Sequence, residues 1–163
     1  MTMGKIKKFA NLSIRKITGG KDPIRLVEDF ITRLGFDPDE CQKHKNSDDV
    51  RWMVSVEKGE DLEILVEGLK SSADTTIYMG VNIATVPVRG GDEMLAAALE
   101  IADGLVGIKI SLVGHYLVLS ASMGTAGISV DEIDYSYRLI TAQSTWFKET
   151  LAEELGWEQV PSE

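Results

Sequence analysis

Cysteine is nearly absent from this chain of 163 residues, where Cys41 is the only one. A single cysteine excludes an internal disulfide, and two histidines leave a zinc site built on His and Cys short of ligands. Basic charge is also scarce: 17 Lys and Arg stand against 26 Asp and Glu, a net charge of −9. That balance argues against nucleic acid as a partner, because phosphate binding rests on neutralising Lys and Arg. Long hydrophobic runs are missing too. The most apolar stretch, 105–121, is broken by Gly107, Lys109, Gly114 and His115, and falls short of the roughly 20 apolar residues that cross a bilayer. No uninterrupted apolar core follows the first lysines, so no secretory signal is expected. The expectation is a soluble, cytoplasmic protein, and a lone free thiol agrees with a reducing compartment. What remains is ordinary for a globular chain, with 44% hydrophobic and 26% charged residues. A chain of this length buries roughly 68–70% of its unfolded surface and needs no disulfide or metal to fold.

Charge is unevenly spread. Residues 1–21 hold Lys5, Lys7, Lys8, Arg15, Lys16 and Lys21 and no acid, a charge of +6, which leaves −15 on residues 22–163. The two parts read as a basic arm, 1–21, and a single acidic domain, 22–163. Ile6, Phe9, Ala10, Ile14 and Ile17 recur in the arm at the three-and-four spacing of one helical face. Three readings are open: an arm docked on its own or a neighbouring subunit, an interfacial membrane helix, or a flexible tail. Membrane or arm contact would fall on Ile6, Phe9, Ile14 and Ile17.

Gly19 and Gly20 separate arm from body. Asp22 followed by Pro23 is a helix start, since proline at the first helical position loses no hydrogen bond. Leu26, Val27, Phe30, Ile31 and Leu34 make its apolar stripe, and Gly35 stops it. Residues 36–49 read as an exposed loop. Trp52, Val54 and Val56 alternate with polar neighbours across 51–57; Leu62, Ile64 and Val66 repeat the pattern. A third strand runs over about 75–86. Asp92 begins an alanine-rich helix after a glycine turn at 90–91. Strands near 108–112 and 117–121 follow, joined through His115. Ser129 and Glu132 form a capping box for a last helix reaching about Leu155. The result is an α+β domain with an antiparallel sheet in the order α-β-β-β-α-β-β-α.

This order, on an acidic chain of this size, resembles the type III secretion chaperone-like fold, shared by secretion chaperones and YbjN-type bacterial sensory-transduction regulators. The resemblance covers about residues 22–155. It rests on element order, acidity and the hairpin from Gly107, Ile108, Lys109 and Ile110 to Tyr116, Leu117, Val118 and Leu119, placed after the alanine-rich helix. The resemblance implies a small homodimer that holds a peptide segment of another protein and carries no cofactor. Secretion chaperones lack a basic N-terminal arm of this kind.

Catalytic signatures are missing, and no catalytic, cofactor-binding or metal-binding residue is assigned. His44 and His115 lie 71 positions apart without a nucleophile pattern around either. Cys41, His44, Asp37 and Asp39 read as a polar connection rather than a metal corner. Residues 124–127 read as a strand-to-helix loop rather than an anion site. Glu63 and Glu67 read as a solvated strand face rather than an acid–base pair. Trp146 and Phe147 carry more weight. They point about 100° apart on a helix, so one core does not easily take both. Leu139, Trp146, Phe147 and Leu151 are therefore the expected protein-binding or dimer surface. The expected function is a non-enzymatic, dimeric, chaperone-like module whose partners are a second copy of itself and a segment of an unidentified protein. The alternative is a membrane-peripheral regulatory protein anchored by its basic arm.

Overall fold

The computed structural model describes residues 22–55, 60–70, 75–158 and 160–161. The basic arm, with Ile6, Phe9, Ile14 and Ile17, lies outside the described residues. So do residues 56–59, which include Val56 of the expected strand 51–57, and residues 71–74.

Helix α1 spans Pro23–Arg33, and the Asp22 carboxylate accepts the Ile24 backbone N–H at 3.1 Å. Leu26, Val27, Phe30 and Ile31 form its buried stripe, and Gly35 ends it with φ at +89°. The next segment departs from the expected loop. A short helical turn, α2 (Pro38–Cys41), is capped by Asp37, and strand β1 (Gln42–Lys45) follows it. Strand β1 pairs antiparallel with β2 (Asp49–Ser55). Its residues are polar and mostly exposed because it is an edge strand. Hydrophobic periodicity therefore carried no sign of it. The turn between the two strands is built by Asn46, whose side-chain oxygen accepts the N–H of Asp48 at 2.6 Å and of Asp49 at 2.9 Å.

Strands β3 (Asp61–Glu67) and β4 (Thr76–Thr85) continue the meander. Helix α3 (Gly91–Ala102) then leads to the hairpin of β5 (Lys109–Val113) and β6 (Tyr116–Gly124), and α4 (Val130–Leu155) closes the order. Residue 90, not Asp92, caps α3: Gly90 takes φ +78°, a left-handed conformation that glycine adopts without steric cost, and Asp92 sits inside the first turn. The six-stranded sheet is antiparallel throughout, in the order β1-β2-β3-β4-β6-β5.

Register explains where the core lies. Trp52, Ile64, Met79 and Ala121 stand side by side across four strands, and Val54, Leu62, Val81 and Leu119 form the next row. All eight are buried, because alternate residues of a strand share a face. One cluster joins this face to α1 and the first half of α4; a second joins the ends of β4 and β6 to α3 and the second half of α4. Ser144 lies between them, fully buried, and donates to the Glu60 carboxylate at 3.3 Å, which Lys148 also binds. Helix α4 is thus the beam that both halves of the core share.

Candidate protein-binding surface

The capping box that starts α4 is formed as the sequence predicts. The Glu132 N–H donates to Ser129 Oγ at 3.3 Å, and the Ser129 N–H donates to Glu132 Oε2 at 2.8 Å. Gly156, at φ +64°, ends the helix. The stripe of Ile133, Ile140, Ser144, Phe147 and Leu151 is fully buried against the sheet. Phe147 and Leu151, expected on a contact surface, are therefore core residues of the chain itself. Their apolar faces are already spent on α3 and β6, so neither is available to a partner.

The face of α4 that bears Leu139 and Trp146 behaves differently. Gln143 grips the loop after α3 by both ends of its amide, donating to the Val106 carbonyl at 3.0 Å and accepting the Val106 N–H at 3.2 Å. Leu139 and Trp146, on either side of Gln143, meet the same loop. A Cβ at Gly107 would lie 3.4 Å from Leu139 Cδ2, and one at Gly104 would lie 3.0 Å from the Trp146 ring. Glycine at 104 is what lets the indole settle on the end of α3. Trp146 nevertheless stays 42% exposed, beside an edge-on contact with Phe147. Of the four expected surface residues, Trp146 reaches solvent and Leu139 is half-buried.

Five exposed apolar residues were not anticipated: Val88, Leu99, Val106, Leu112 and Val113. Leu112 and Val113 belong to β5, an outer strand of the sheet. The two edges differ sharply. Strand β1 carries Lys43 and Lys45 and a register irregularity, the usual devices that discourage further pairing. Strand β5 reads Lys-Ile-Ser-Leu-Val and has a single charge at its start. Two consecutive apolar residues at the end of a short strand were the available signal, but sequence does not show which strand is an edge.

The sheet face opposite the long helices holds Met53, Leu65 and Tyr78, all half-buried. Gly80 makes room for the Tyr78 ring, whose hydroxyl would lie 2.6 Å from a Cβ placed there. Burial pushes the Tyr78 phenol above its ordinary value, Glu63 adds to the rise, and the nearby Ser120 hydroxyl opposes it. Glu63 is itself paired with Arg51 at 3.0 Å, so it serves a strand-face ion pair, and Glu67 is exposed. Cys41 is half-buried, and burial chiefly raises its thiol pKa, with Glu40 and Asp37 adding and Lys43 opposing. Asp37 is used as a helix cap, and His44 bonds Asn46 at 2.9 Å and faces Asp49 at 3.3 Å. Among the described residues no three His, Cys, Asp or Glu side chains gather as metal ligands. His115 sits exposed in the turn of the β5–β6 hairpin, its ring 4.2 Å from that of Tyr116. No helix among the described residues is long and apolar enough to cross a membrane.

The sheet order and helix placement can be compared with solved structures. A chain of the ExsC–ExsE complex superposes with a TM-score of 0.55 at 12% identity, covering 78% of this chain and 92% of that one. A chain of the heterodimeric ExoU–SpcU complex from the type III secretion system of Pseudomonas aeruginosa gives 0.53 at 14% identity, covering 76% and 96%. A chain of the HopA1–SchA chaperone–effector complex gives 0.50 at 12% identity, covering 86% and 97%. The fold is that of type III secretion chaperones. It spans nearly all of each matched chain. At these identities the likeness is one of backbone arrangement. No family model matches the sequence, and no curated protein matches it at the level of sequence.

Proposed function

We propose that this chain is a non-enzymatic protein-binding module that dimerises and holds a segment of another protein in the cytoplasm, in the manner of the chaperones whose fold it has. A regulatory role of the YbjN kind belongs to the same reading. Two solved complexes with this fold support it by their composition, one described as chaperone–effector and one as a heterodimer. The observation that carries it is the open, apolar β5 edge, with Leu112 and Val113 exposed. An unpaired edge offers a row of backbone N–H and C=O groups, and adding a strand there satisfies them while covering apolar side chains. A second copy pairing edge to edge would cover Leu112 and Val113, leaving the sheet face opposite the long helices, with Met53, Leu65 and Tyr78, for the held segment. Carboxylates around these surfaces favour basic clients.

Light scattering on the purified chain tests the dimer. The expected result is a dimer that Leu112→Lys converts to a folded monomer, with its circular dichroism unchanged. Cross-linked pull-down from host extract then tests the client, and one dominant protein is expected. A monomeric parent chain that captures no protein would overturn the reading.

A further inference from the structure

We propose that the end of β4 is a strand-docking site for an extended aliphatic segment of another protein, and that Val160 and Pro161 of this chain occupy it in cis as a weak stand-in. The site follows from an offset in the sheet. Strand β3 accompanies β4 only as far as Leu62 opposite Val81, whereas β6 continues beside it to Tyr116 opposite Thr85. Among the described residues, 83–85 therefore have a strand on one side only, although β4 is a central strand. An unpaired edge offers backbone donors and acceptors to any segment that can lie extended beside it. Here the tail after α4 takes that place. Gly156, at φ +64°, turns the chain off the helix, and the Trp157 N–H donates to the Ala152 carbonyl at 2.8 Å. Val160 then enters the same buried cluster as Ile83, Ala84 and Leu151, with Trp157 packed against that cluster. The Thr85 N–H donates to the Pro161 carbonyl at 2.7 Å.

The fit is incomplete in a way that specifies a better ligand. Facing residues of a hydrogen-bonded antiparallel pair exchange two bonds. Proline has no N–H, so Pro161 accepts from Thr85 and has none to return. The Thr85 hydroxyl oxygen is also shut off from solvent and has no hydrogen-bond partner. A buried oxygen left unpaired is costly, so an N–H supplied there is a gain open to a partner and closed to the proline. The tail thus matches the edge in its aliphatic side chain and its carbonyl, and lacks the donor. The segment this specifies is extended, with valine or isoleucine in the place of Val160 and a residue other than proline in the place of Pro161. Thr85 belongs to a different strand from the β5 edge, so the site requires neither the dimer nor the client contact proposed above.

The test uses the full chain, amide hydrogen exchange at Thr85, and fluorescent peptides with the sequence of residues 156–163. In the parent chain the Pro161 carbonyl should protect the Thr85 amide from exchange. Val160→Asp should expel the tail and strip that protection, with the rest of β4 still protected and circular dichroism unchanged. If the charge unfolds the chain, Val160→Ala makes the same comparison. Adding the peptide should restore protection at Thr85. With an effective cis concentration on the order of 1 mM, a peptide dissociating at about 0.1 mM should bind the variant about tenfold more tightly than the parent chain. A peptide carrying Pro161→Ala should bind about threefold more tightly again, one net hydrogen bond less the backbone freedom that alanine regains. Thr85 protection that survives the Val160 substitutions would take the tail off this edge and overturn the proposal. So would a bared Thr85 amide that neither peptide protects. Protection in the parent that rises with chain concentration would give the edge to a second copy's tail and overturn the cis assignment. An alanine peptide that binds no better would overturn the chemistry assigned to the partner.

Discussion

Phe147 and Trp146 are adjacent in sequence, and the structure assigns them opposite fates that stability measurements can separate. Phe147 is fully buried among α3, β6 and the second half of α4. Truncating such a phenylalanine removes its transfer free energy and leaves a cavity, together about 3–5 kcal/mol. Trp146 is 42% exposed, with one side of its ring on Gly104. A little over half of the roughly 150–250 Å² that an indole can bury, at about 25 cal/mol per Å², gives about 2–3.5 kcal/mol. That figure is an upper bound, because the denatured chain already hides part of this area. Phe147→Ala should therefore lose about 2 kcal/mol more than Trp146→Ala. Urea unfolding followed by circular dichroism is the assay. With a slope of about 2 kcal/mol per M, the Phe147→Ala midpoint should fall by about 2 M and that of Trp146→Ala by about 1 M. A loss below about 1 kcal/mol for Phe147→Ala, with a change in oligomeric state, would return Phe147 to the surface and refute the core assignment.

Two further predictions follow from local geometry. Tyr78 has a raised phenol pKa because it is buried, so the folded state holds its proton more tightly than the unfolded chain. Its contribution is complete below the unfolded value near 10 and is lost as pH rises through the higher folded value, so stability should decline above about pH 10. Tyr78→Phe should flatten that decline, and Gly80→Ala, by displacing the ring, should bring the phenol back towards its ordinary value in an ultraviolet titration. An unchanged titration in Gly80→Ala would show that the ring does not rest there. Ser129→Ala removes the oxygen that accepts the Glu132 N–H and should cost about 1 kcal/mol of unfolding free energy, read by urea melting. No measurable loss would mean that water replaces the cap.

Much of the fold was legible because its signals are local. Asp22, Pro23 and Gly35 bound α1 through capping and turn chemistry, and Ser129 with Glu132 marks the start of α4 for the same reason. Alternation in Trp52–Val54 and Leu62–Val66 named two strands, since one buried face imposes a period of two. Strand β1 escaped because Gln42–Lys45 buries nothing substantial: its place is set by backbone pairing to β2, which leaves no hydrophobic trace. The Gly90 cap of α3 escaped because a carboxylate two residues on looks like a better one.

The binding surface was harder to read. Sequence by itself determined that α4 is long, that it bears two apolar stripes, that the body is acidic and that the first 21 residues are basic. These are properties of spacing and charge along one dimension. Only the tertiary structure decided that the stripe holding Phe147 and Leu151 faces inward. It also brought the loop at Val106 across Leu139 and Gln143, and it left β5 rather than β1 as the apolar edge. Those outcomes depend on which elements become neighbours. A helix stripe or a strand edge has no intrinsic inside or outside until another part of the chain covers it.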